Sequence, residues 1–270
     1  MQSGNIRKMR SEILGDNKQS RIIYHLPLGS DEIDINKLRG KLLRIEYSGR
    51  INCIHCGRST NKSFAQGYCY PCYIRLPQTD ACSLHPEKCE AHKGISRDMS
   101  WSEKNCLTSH IVYLALTPGL KVGVTRESQV PTRWIDQGAW EAIVLATTDN
   151  RYTAGIMEVF LKNHVSDKTN WRQMLSGKRL DDVSLVSEKE RIISLLPGEM
   201  QNTVSNDFST LSINYPVQNY PLKIKSLNFE ERKDVEGVLS GIKGQYLIME
   251  GGEVLNIRKF GGYFIRLTVQ

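Results

Sequence analysis

The sequence predicts an α+β protein in which β-rich ends flank a cysteine-rich block and an α/β module. Three observations support this fold class. Segments near both ends alternate or cluster β-branched and aromatic residues between glycine-bearing turns. Two CxxC pairs lie close together, at Cys53, Cys56, Cys69 and Cys72. The region after them combines short strand patterns with helical ones. The predicted segments are 1–50, 51–108, 109–198, a linker at 199–220, and 221–270.

The two β-rich ends are expected to pack together. Near the N-terminus, Ser20–Leu26 and Lys41–Tyr47 read as strands. The last fifty residues return to strand patterns interrupted by glycine-rich turns. Because chain termini often meet in space, we expect these segments to form one small β-barrel or sandwich.

The first four cysteines have the spacing C-x2-C-x12-C-x2-C. Two such pairs bring four thiolates to one point, which is what tetrahedral zinc requires. Gly57 follows the first pair and Gly67 precedes the second, where tight turns direct backbone N–H groups toward sulfur. Disulfides or unrelated buried cysteines are the alternative, but a chain of this length does not depend on disulfides for stability. The spacing therefore predicts a zinc ribbon with a structural Zn2+.

A second zinc site is predicted after the ribbon. The candidate ligands have the spacing C-x6-C-x2-H-x13-C and are Cys82, Cys89, His92 and Cys106. Thiolates and imidazole both suit zinc. His85 could replace His92, because Pro86 places the His85 stretch in a turn. The alternative is three buried cysteines beside solvated histidines.

The third segment predicts a hairpin followed by helices and one more strand. The strands are predicted at His110–Leu116, Leu120–Thr125 and Glu141–Thr147. The helices are predicted from Pro131 to Gly138, along an apolar stripe from Ile156 to His164, and from a capping box at Ser187 and Glu190.

This segment contains the tripeptides Ile111–Tyr113 and Lys121–Gly123, followed by Arg133 and then Glu158. In this order they resemble the motifs of the GIY-YIG nuclease superfamily. The resemblance implies that Glu158 holds Mg2+ or Mn2+, that Arg133 clamps a phosphate, and that Tyr113 orients water or the leaving oxygen. The superfamily usually has tyrosine where this chain has Lys121, although one branch reads K-[IV]-G there. Lys121 could act as a base only if burial lowered its pKa.

Each of these residues also has a structural alternative. Tyr113 on an alternating strand could serve in core or edge packing. Arg133 could stack on Trp134 or pair with Asp136. Glu158 could lie on a solvated helix face with Lys162 as its i+4 partner.

A second resemblance covers nearly the whole chain. Its strings are CIHCGRSTNKSFAQGYCYPC, HPEKC, IVYLA, LKVGVTR, PTRWIDQGA, DKTNWRQML, GIKGQYLI and NIRKFGGY. Together they are similar to a bacterial family catalogued as a domain of unknown function, the DUF2797 type. The resemblance implies further cysteines near Thr79 and Ser96, which this sequence lacks, so Cys82, Cys89 and Cys106 are the available thiolates.

Composition indicates a cytoplasmic protein with a bias toward polyanions. Lys and Arg total 36 against 29 Asp and Glu, a net charge of +7. No apolar run approaches membrane-spanning length, and the first residues lack the apolar core of a signal peptide. Thiols kept for metal binding agree with a reducing compartment. We therefore expect no membrane partner.

Nucleic acid is the expected partner, with RNA favoured over DNA. The candidate contact residues combine cations, an aromatic ring and amides: Arg126, Trp134, Gln137, Asn170 and Arg172. Trp134 in the core is the structural alternative.

The predicted function is a zinc-containing nucleic-acid-binding protein with a Mg2+-dependent, GIY-YIG-like endonuclease site. One alternative is a non-catalytic RNA-binding or accessory protein on a degenerate GIY-YIG fold. Another is a zinc-stabilised scaffold that binds a protein partner.

Overall fold

The structure is a computed structural model that describes residues 1–15, 20–166, 168–179 and 182–270. Asp167, the first residue of the DKTNWRQML string, lies outside this range. The described residues form a mixed α+β fold of two compact units. The first unit comprises 1–74, 175–177 and 214–270, and the second comprises 75–174 and 178–213.

The described residues of the first unit include a seven-stranded sheet, a three-stranded sheet and a short α-helix, α1 (Tyr70–Arg75). The seven strands lie in the order β1-β14-β5-β11-β12-β13-β10. Their bounds are β1 Gln2–Asn5, β5 Leu42–Ile51, β10 Lys225–Ser226, β11 Asp234–Lys243, β12 Tyr246–Met249, β13 Glu253–Asn256 and β14 Tyr263–Val269. The smaller sheet consists of β2 Arg10–Leu14, β3 Arg21–Leu28 and β4 Asp31–Asp34.

Strands from both ends of the chain pair with each other in the large sheet. Gln2 lies opposite Leu267 in the β1–β14 pair, and Val269 lies opposite Leu43 in the β14–β5 pair. Strand β5 also pairs with β11, where Ile45 lies opposite Val235. Leu43, Ile45, Val235 and Leu267 of these strands are buried, as expected for residues on the inner face of a sheet. None of the described sheets closes into a barrel, so the barrel form of the prediction does not hold.

The second unit is built on a four-stranded antiparallel sheet in the order β7-β6-β8-β9. The strands are β6 His110–Thr117, β7 Gly119–Arg126, β8 Glu141–Thr148 and β9 Thr210–Ser212. The helices are α2 Met99–Asn105, α3 Thr132–Asp136, α4 Arg151–Leu161, α5 Trp171–Leu175, α6 Leu185–Leu195 and α7 Gly198–Gln201.

The central strand β6 fixes the core of this unit. All eight of its residues are buried, because it pairs with β7 on one side and β8 on the other. One face of β6, with Val112 and Leu114, packs against α4 and α6. Helix α4 contributes Ala154, Met157 and Leu161 at helical spacing. The tight β6–β7 hairpin predicted at Thr117–Gly119 is observed.

Two predicted local features differ from the structure. Helix α6 begins at Leu185, and the hydroxyl of Ser184, not that of Ser187, accepts from a backbone N–H to cap it. Strand β9 lies inside the segment predicted as a linker and pairs with β8. A three-residue strand is too short to show the alternation on which sequence prediction depends.

Within the described ranges, no helix is both long enough and apolar enough to span a membrane.

Candidate functional site

Four cysteines of the first unit meet at one point just beyond β5. The Sγ atoms of Cys53, Cys56, Cys69 and Cys72 all lie within 4.8 Å of one another. Those of Cys56 and Cys69 are 3.8 Å apart. Four sulfurs around one Zn2+ at about 2.3 Å stand about 3.8 Å from each other, so the cluster matches the size of a single ion.

Two glycines allow the chain to wrap around this cluster. Gly57 adopts φ +74° and donates its N–H to the carbonyl of Cys53 at 3.0 Å. Gly67 adopts φ +144°, and a Cβ there would lie 2.6 Å from a side-chain carbon of Ile54. A side chain is therefore excluded at Gly67 by both backbone conformation and space.

The electrostatics of the four thiols differ within the cluster. Burial opposes ionisation of Cys53, but N–H groups of Cys56, Cys69 and His55 donate to its sulfur and lower its pKa to about 6. Loss of solvation and hydrogen bonds with the other three thiols raise the pKa of Cys72 to about 12. Zn2+ binds thiolates, so a metal ion at this point would displace the protons of these thiols.

Three cysteines of the second unit form another cluster. Cys82 lies in a 3-10 turn, Cys89 follows a second such turn, and Cys106 ends α2. All three are buried, and their Sγ atoms lie within 4.8 Å of one another. The carboxylate of Asp80 accepts from the N–H of Cys82 at 3.2 Å and fixes that turn. The three thiols could hold a single metal ion.

A cation stands beside this second cluster. The guanidinium of Arg151 donates to the carbonyl of Cys82 at 3.3 Å and lies 3.8 Å from its Sγ. The backbone N–H of Arg151 donates to the carbonyl of Cys106 at 2.8 Å. Hydrogen bonds with the thiols of Cys106 and Cys82 lower the pKa of Cys89. Hydrogen bonds with the thiols of Cys106 and Cys89 raise the pKa of Cys82, so the cluster favours a thiolate on Cys89 over one on Cys82.

The structure does not bring His92 or His85 into this cluster. His92 is exposed, and its ring stacks on Tyr152 with 4.2 Å between centroids. His85 is also exposed, and its Nδ1 lies 3.3 Å from a carboxylate oxygen of Glu87. The fourth ligand predicted from spacing is therefore not among the described groups that meet the three thiols.

His110 is a buried histidine that the sequence did not single out. Its Nδ1 lies 2.7 Å from the carbonyl of Thr108, and its Nε2 has no hydrogen-bond partner among the described residues. Burial lowers the pKa of His110 to about 4, so the ring is neutral near pH 7. Only its position four residues after Cys106 could have drawn attention to it.

Three residues predicted to act on phosphate lie at the β6–β7 hairpin, where Tyr113 interacts with both Arg133 and Glu158. Tyr113 on β6 lies opposite Gly123 on β7, and a Cβ at Gly123 would lie 2.6 Å from the Tyr113 hydroxyl. That hydroxyl donates to Oε1 of Gln137 at 2.8 Å. Burial raises the pKa of Tyr113 to about 12; the charge of Arg133 acts against this shift, and that of Glu158 adds to it. Residues from β6, α3 and α4 therefore converge.

Two further predicted catalytic residues have partners of their own. Glu158 is 9% exposed, so it does not lie on the solvated helix face that the structural alternative named. Its carboxylate lies 3.7 Å from Nζ of Lys162, the i+4 partner that this alternative expected. Lys121 on β7 is 5% exposed, and its Nζ lies 3.5 Å from the hydroxyl of Thr169.

The predicted nucleic-acid contacts divide between core and surface. Trp134 is 4% exposed and packs on the ring of Tyr113, so it offers no free face to a base. Arg126 donates to the side chain of Asn105. Asn170 caps α5 by accepting from the N–H of Gln173 at 3.2 Å. Arg172 is exposed and lies over the ring of Trp171.

The fold and its clusters define an α+β protein with two groups of thiols, each able to hold a metal ion. The chain belongs to the family described as "Protein of unknown function (DUF2797)", whose model matches residues 40–265. No curated protein and no solved structure matches the chain.

Proposed function

We propose that this protein is a zinc-containing nucleic-acid-binding protein whose second unit is a GIY-YIG-like endonuclease module. The observation that carries the proposal is the convergence of Tyr113, Arg133, Gln137 and Glu158. The element order also supports it, because a β-hairpin bears both tripeptides and is followed by a helix, a strand and a second helix.

The zinc-containing part of the proposal rests on the cysteine clusters. Cys53, Cys56, Cys69 and Cys72 would hold one Zn2+ in a zinc ribbon, where four thiolates leave no open coordination position. This site would be structural. It would fix the loops around Gly57 and Gly67, which a small polar segment could not hold by packing alone.

Hydrolysis of a phosphodiester needs charge neutralisation, a positioned water and a proton for the leaving oxygen. Arg133 would pair with the phosphoryl oxygens, since a guanidinium can donate two parallel hydrogen bonds. The Tyr113 hydroxyl, with its pKa raised to about 12, stays protonated near pH 7 and would act as a donor rather than a base. Because Tyr113 is fully buried and its hydroxyl is bonded to Gln137, that hydroxyl would reach a substrate only after this hydrogen bond opened.

Glu158 would hold the divalent cation. Its carboxylate is the kind of hard oxygen ligand that Mg2+ and Mn2+ take, and it enters the cluster from α4. When bound, the cation would lower the pKa of a bound water and neutralise charge on the phosphate. Without a bound cation, the ammonium group of Lys162 neutralises the Glu158 carboxylate.

Substrate contact would extend over the exposed cations of the second unit. Arg172, stacked on Trp171, presents a guanidinium with a fixed orientation. Such groups neutralise phosphates, and accessible aromatic rings stack on unpaired bases, so structured RNA is the favoured substrate.

A non-catalytic RNA-binding protein is the second candidate, favoured by two observations. Lys121 replaces the tyrosine of the superfamily motif, and Glu158 is paired with Lys162. Both would leave a platform that binds phosphate and does not cleave it.

Cleavage and binding measured on the same samples distinguish the candidates. Labelled tRNA, single-stranded RNA and duplex DNA are incubated with zinc-loaded full-length protein in Mg2+, Mn2+ or EDTA, and binding is followed by filter retention. Glu158→Ala and Arg133→Ala should abolish metal-dependent products. Glu188→Ala, which removes a surface pair with Arg191, should not. Salt-sensitive binding without products would support the second candidate, and no binding would leave only a protein-interaction scaffold.

A further inference from the structure

A pocket of about 270 Å³ lies against the three-cysteine cluster. Cys82, Cys89 and Cys106 all line it. The side chains of Ile95 and Trp101 form apolar parts of its wall. The cluster therefore has one side that opens toward a space large enough for a small molecule.

Among the described residues, no fourth ligand joins the three thiols on that side. His85 and His92 are exposed and engaged with Glu87 and Tyr152. The ring of His110 is buried, but neither of its nitrogens belongs to the group of ligand atoms within 4.8 Å of one another. Among the described residues that line the pocket, there is no histidine.

We propose that Cys82, Cys89 and Cys106 bind one Zn2+ whose fourth coordination position faces this pocket and takes a small thiol. Three thiolates make a soft site, and a metal ion bound by soft ligands favours another soft ligand, such as a thiolate, at its fourth position. A tetrahedral ion held by three protein ligands keeps one position for an exogenous group, which is the arrangement of reactive rather than structural zinc sites.

The charges around the pocket suit a thiolate. Zn2+ with three thiolates carries a net charge of −1, which the guanidinium of Arg151 offsets next to Cys82. Arg97 is already paired with Asp80 at 2.8 Å. Lys88 lines the pocket, is exposed, and forms no recorded ion pair with any described residue. Glu90 also lines the pocket, but its carboxylate is paired with Lys93 at 3.3 Å. A further negative charge at the metal would therefore meet the positive side chain of Lys88.

Binding would proceed by ligand exchange. The thiol loses its proton to solvent, its sulfur bonds to the metal, and a bound water leaves, so no oxidant or reductant is required. This site is separate from the Tyr113–Glu158 cluster, and its occupancy can be measured without any nuclease assay.

Cobalt substitution tests the proposal directly. The full-length protein is loaded with two Co2+ per chain in a phosphine reductant and titrated with 2-mercaptoethanol. The seven protein thiolates would form seven Co–S bonds, and the added thiol would form an eighth. Sulfur-to-metal charge-transfer absorption should therefore rise by about one-seventh. Imidazole and inorganic phosphate, titrated in parallel, should produce no comparable change.

Substitutions test whether the rise in absorption comes from thiol binding at this pocket. Cys89→Ser should lose one Co2+ and the whole response. Lys88→Glu should leave the thiol-free spectrum unchanged and weaken thiol binding by about fivefold. The proposal fails if thiol leaves the wild-type spectrum unchanged, or if the response survives in Cys89→Ser. It also fails if His92→Ala or His110→Ala alters the thiol-free spectrum, since a histidine would then be the fourth ligand.

Discussion

Gly123 sets the position of the Tyr113 hydroxyl, and replacing it with alanine should displace that group. The new Cβ would stand 2.6 Å from the hydroxyl oxygen and 2.7 Å from the ring carbon that bears it. The ring cannot retreat easily, because Tyr113 is fully buried and packs on Trp134. Overpacking of this kind costs about 1–3 kcal/mol of the free energy of unfolding.

Gly119 on the same strand provides the matched control. A Cβ there has no described heavy atom within 4 Å, and the residue is exposed. Gly119→Ala should therefore change the free energy of unfolding by less than about 0.5 kcal/mol. In Gly123→Ala/Tyr113→Phe the oxygen contact is gone but the ring contact remains, so only part of the loss should be recovered.

Urea unfolding followed by tryptophan fluorescence measures these differences. All four tryptophans lie in the second unit, so the signal reports the unit that holds the substitution. The protein is kept saturated with zinc throughout. Equal midpoints for Gly123→Ala and Gly119→Ala would refute the packing described for Tyr113.

Three further predictions concern metal, pH and substrate contact. Elemental analysis should find two Zn2+ per wild-type chain and one in either Cys72→Ser or Cys89→Ser; two ions in either variant would show that its cluster was wrongly assigned. The pKa of His110 is lowered from its ordinary value of 6.5 to about 4 in the folded state. As pH falls below about 6.5, the unfolded state therefore takes up the proton before the folded state does, and the free energy of unfolding decreases. From pH 6.5 to 5 the wild type should lose about 1–2 kcal/mol more than His110→Gln in paired urea titrations, and parallel losses would contradict the burial of His110. Arg172→Ala should weaken RNA binding and reduce its salt dependence in filter assays, whereas Trp134→Phe should not, because the Trp134 ring is in the core; the reverse result would show that Trp134 reaches the bases.

The sequence predicted those features whose signals are local. Paired CxxC spacing brought Cys53 and Cys72 to one cluster, and the apolar runs around Pro118 predicted the hairpin. The packing of the chain's two ends was expected from their strand patterns and from the tendency of chain termini to meet in space. The order of strands in the sheet was not predicted, because pairing between distant segments leaves no periodic signal.

Other features depend on tertiary placement and escaped prediction. His92 has ligand-like spacing from Cys89, yet its ring stacks on Tyr152, which lies sixty residues away. For Trp134 the sequence left both a nucleic-acid contact and a core position open, because its burial depends on the packing of α3 against Tyr113 on β6. The pocket beside Cys82 is formed by several 3-10 turns, whose packing no sequence period encodes.

Glu158 is proposed to serve phosphodiester cleavage rather than only to pair with Lys162, and one comparison tests this role most directly. Single-turnover cleavage of a structured RNA in Mg2+ is measured for wild type, Glu158→Gln and Lys162→Met. The two variants break the same 3.7 Å pair from opposite sides. If Glu158 holds the cation, Glu158→Gln should lose at least about 100-fold in rate while Lys162→Met keeps or gains activity. Equal effects of the two variants, or cleavage that persists in Glu158→Gln, would contradict the account.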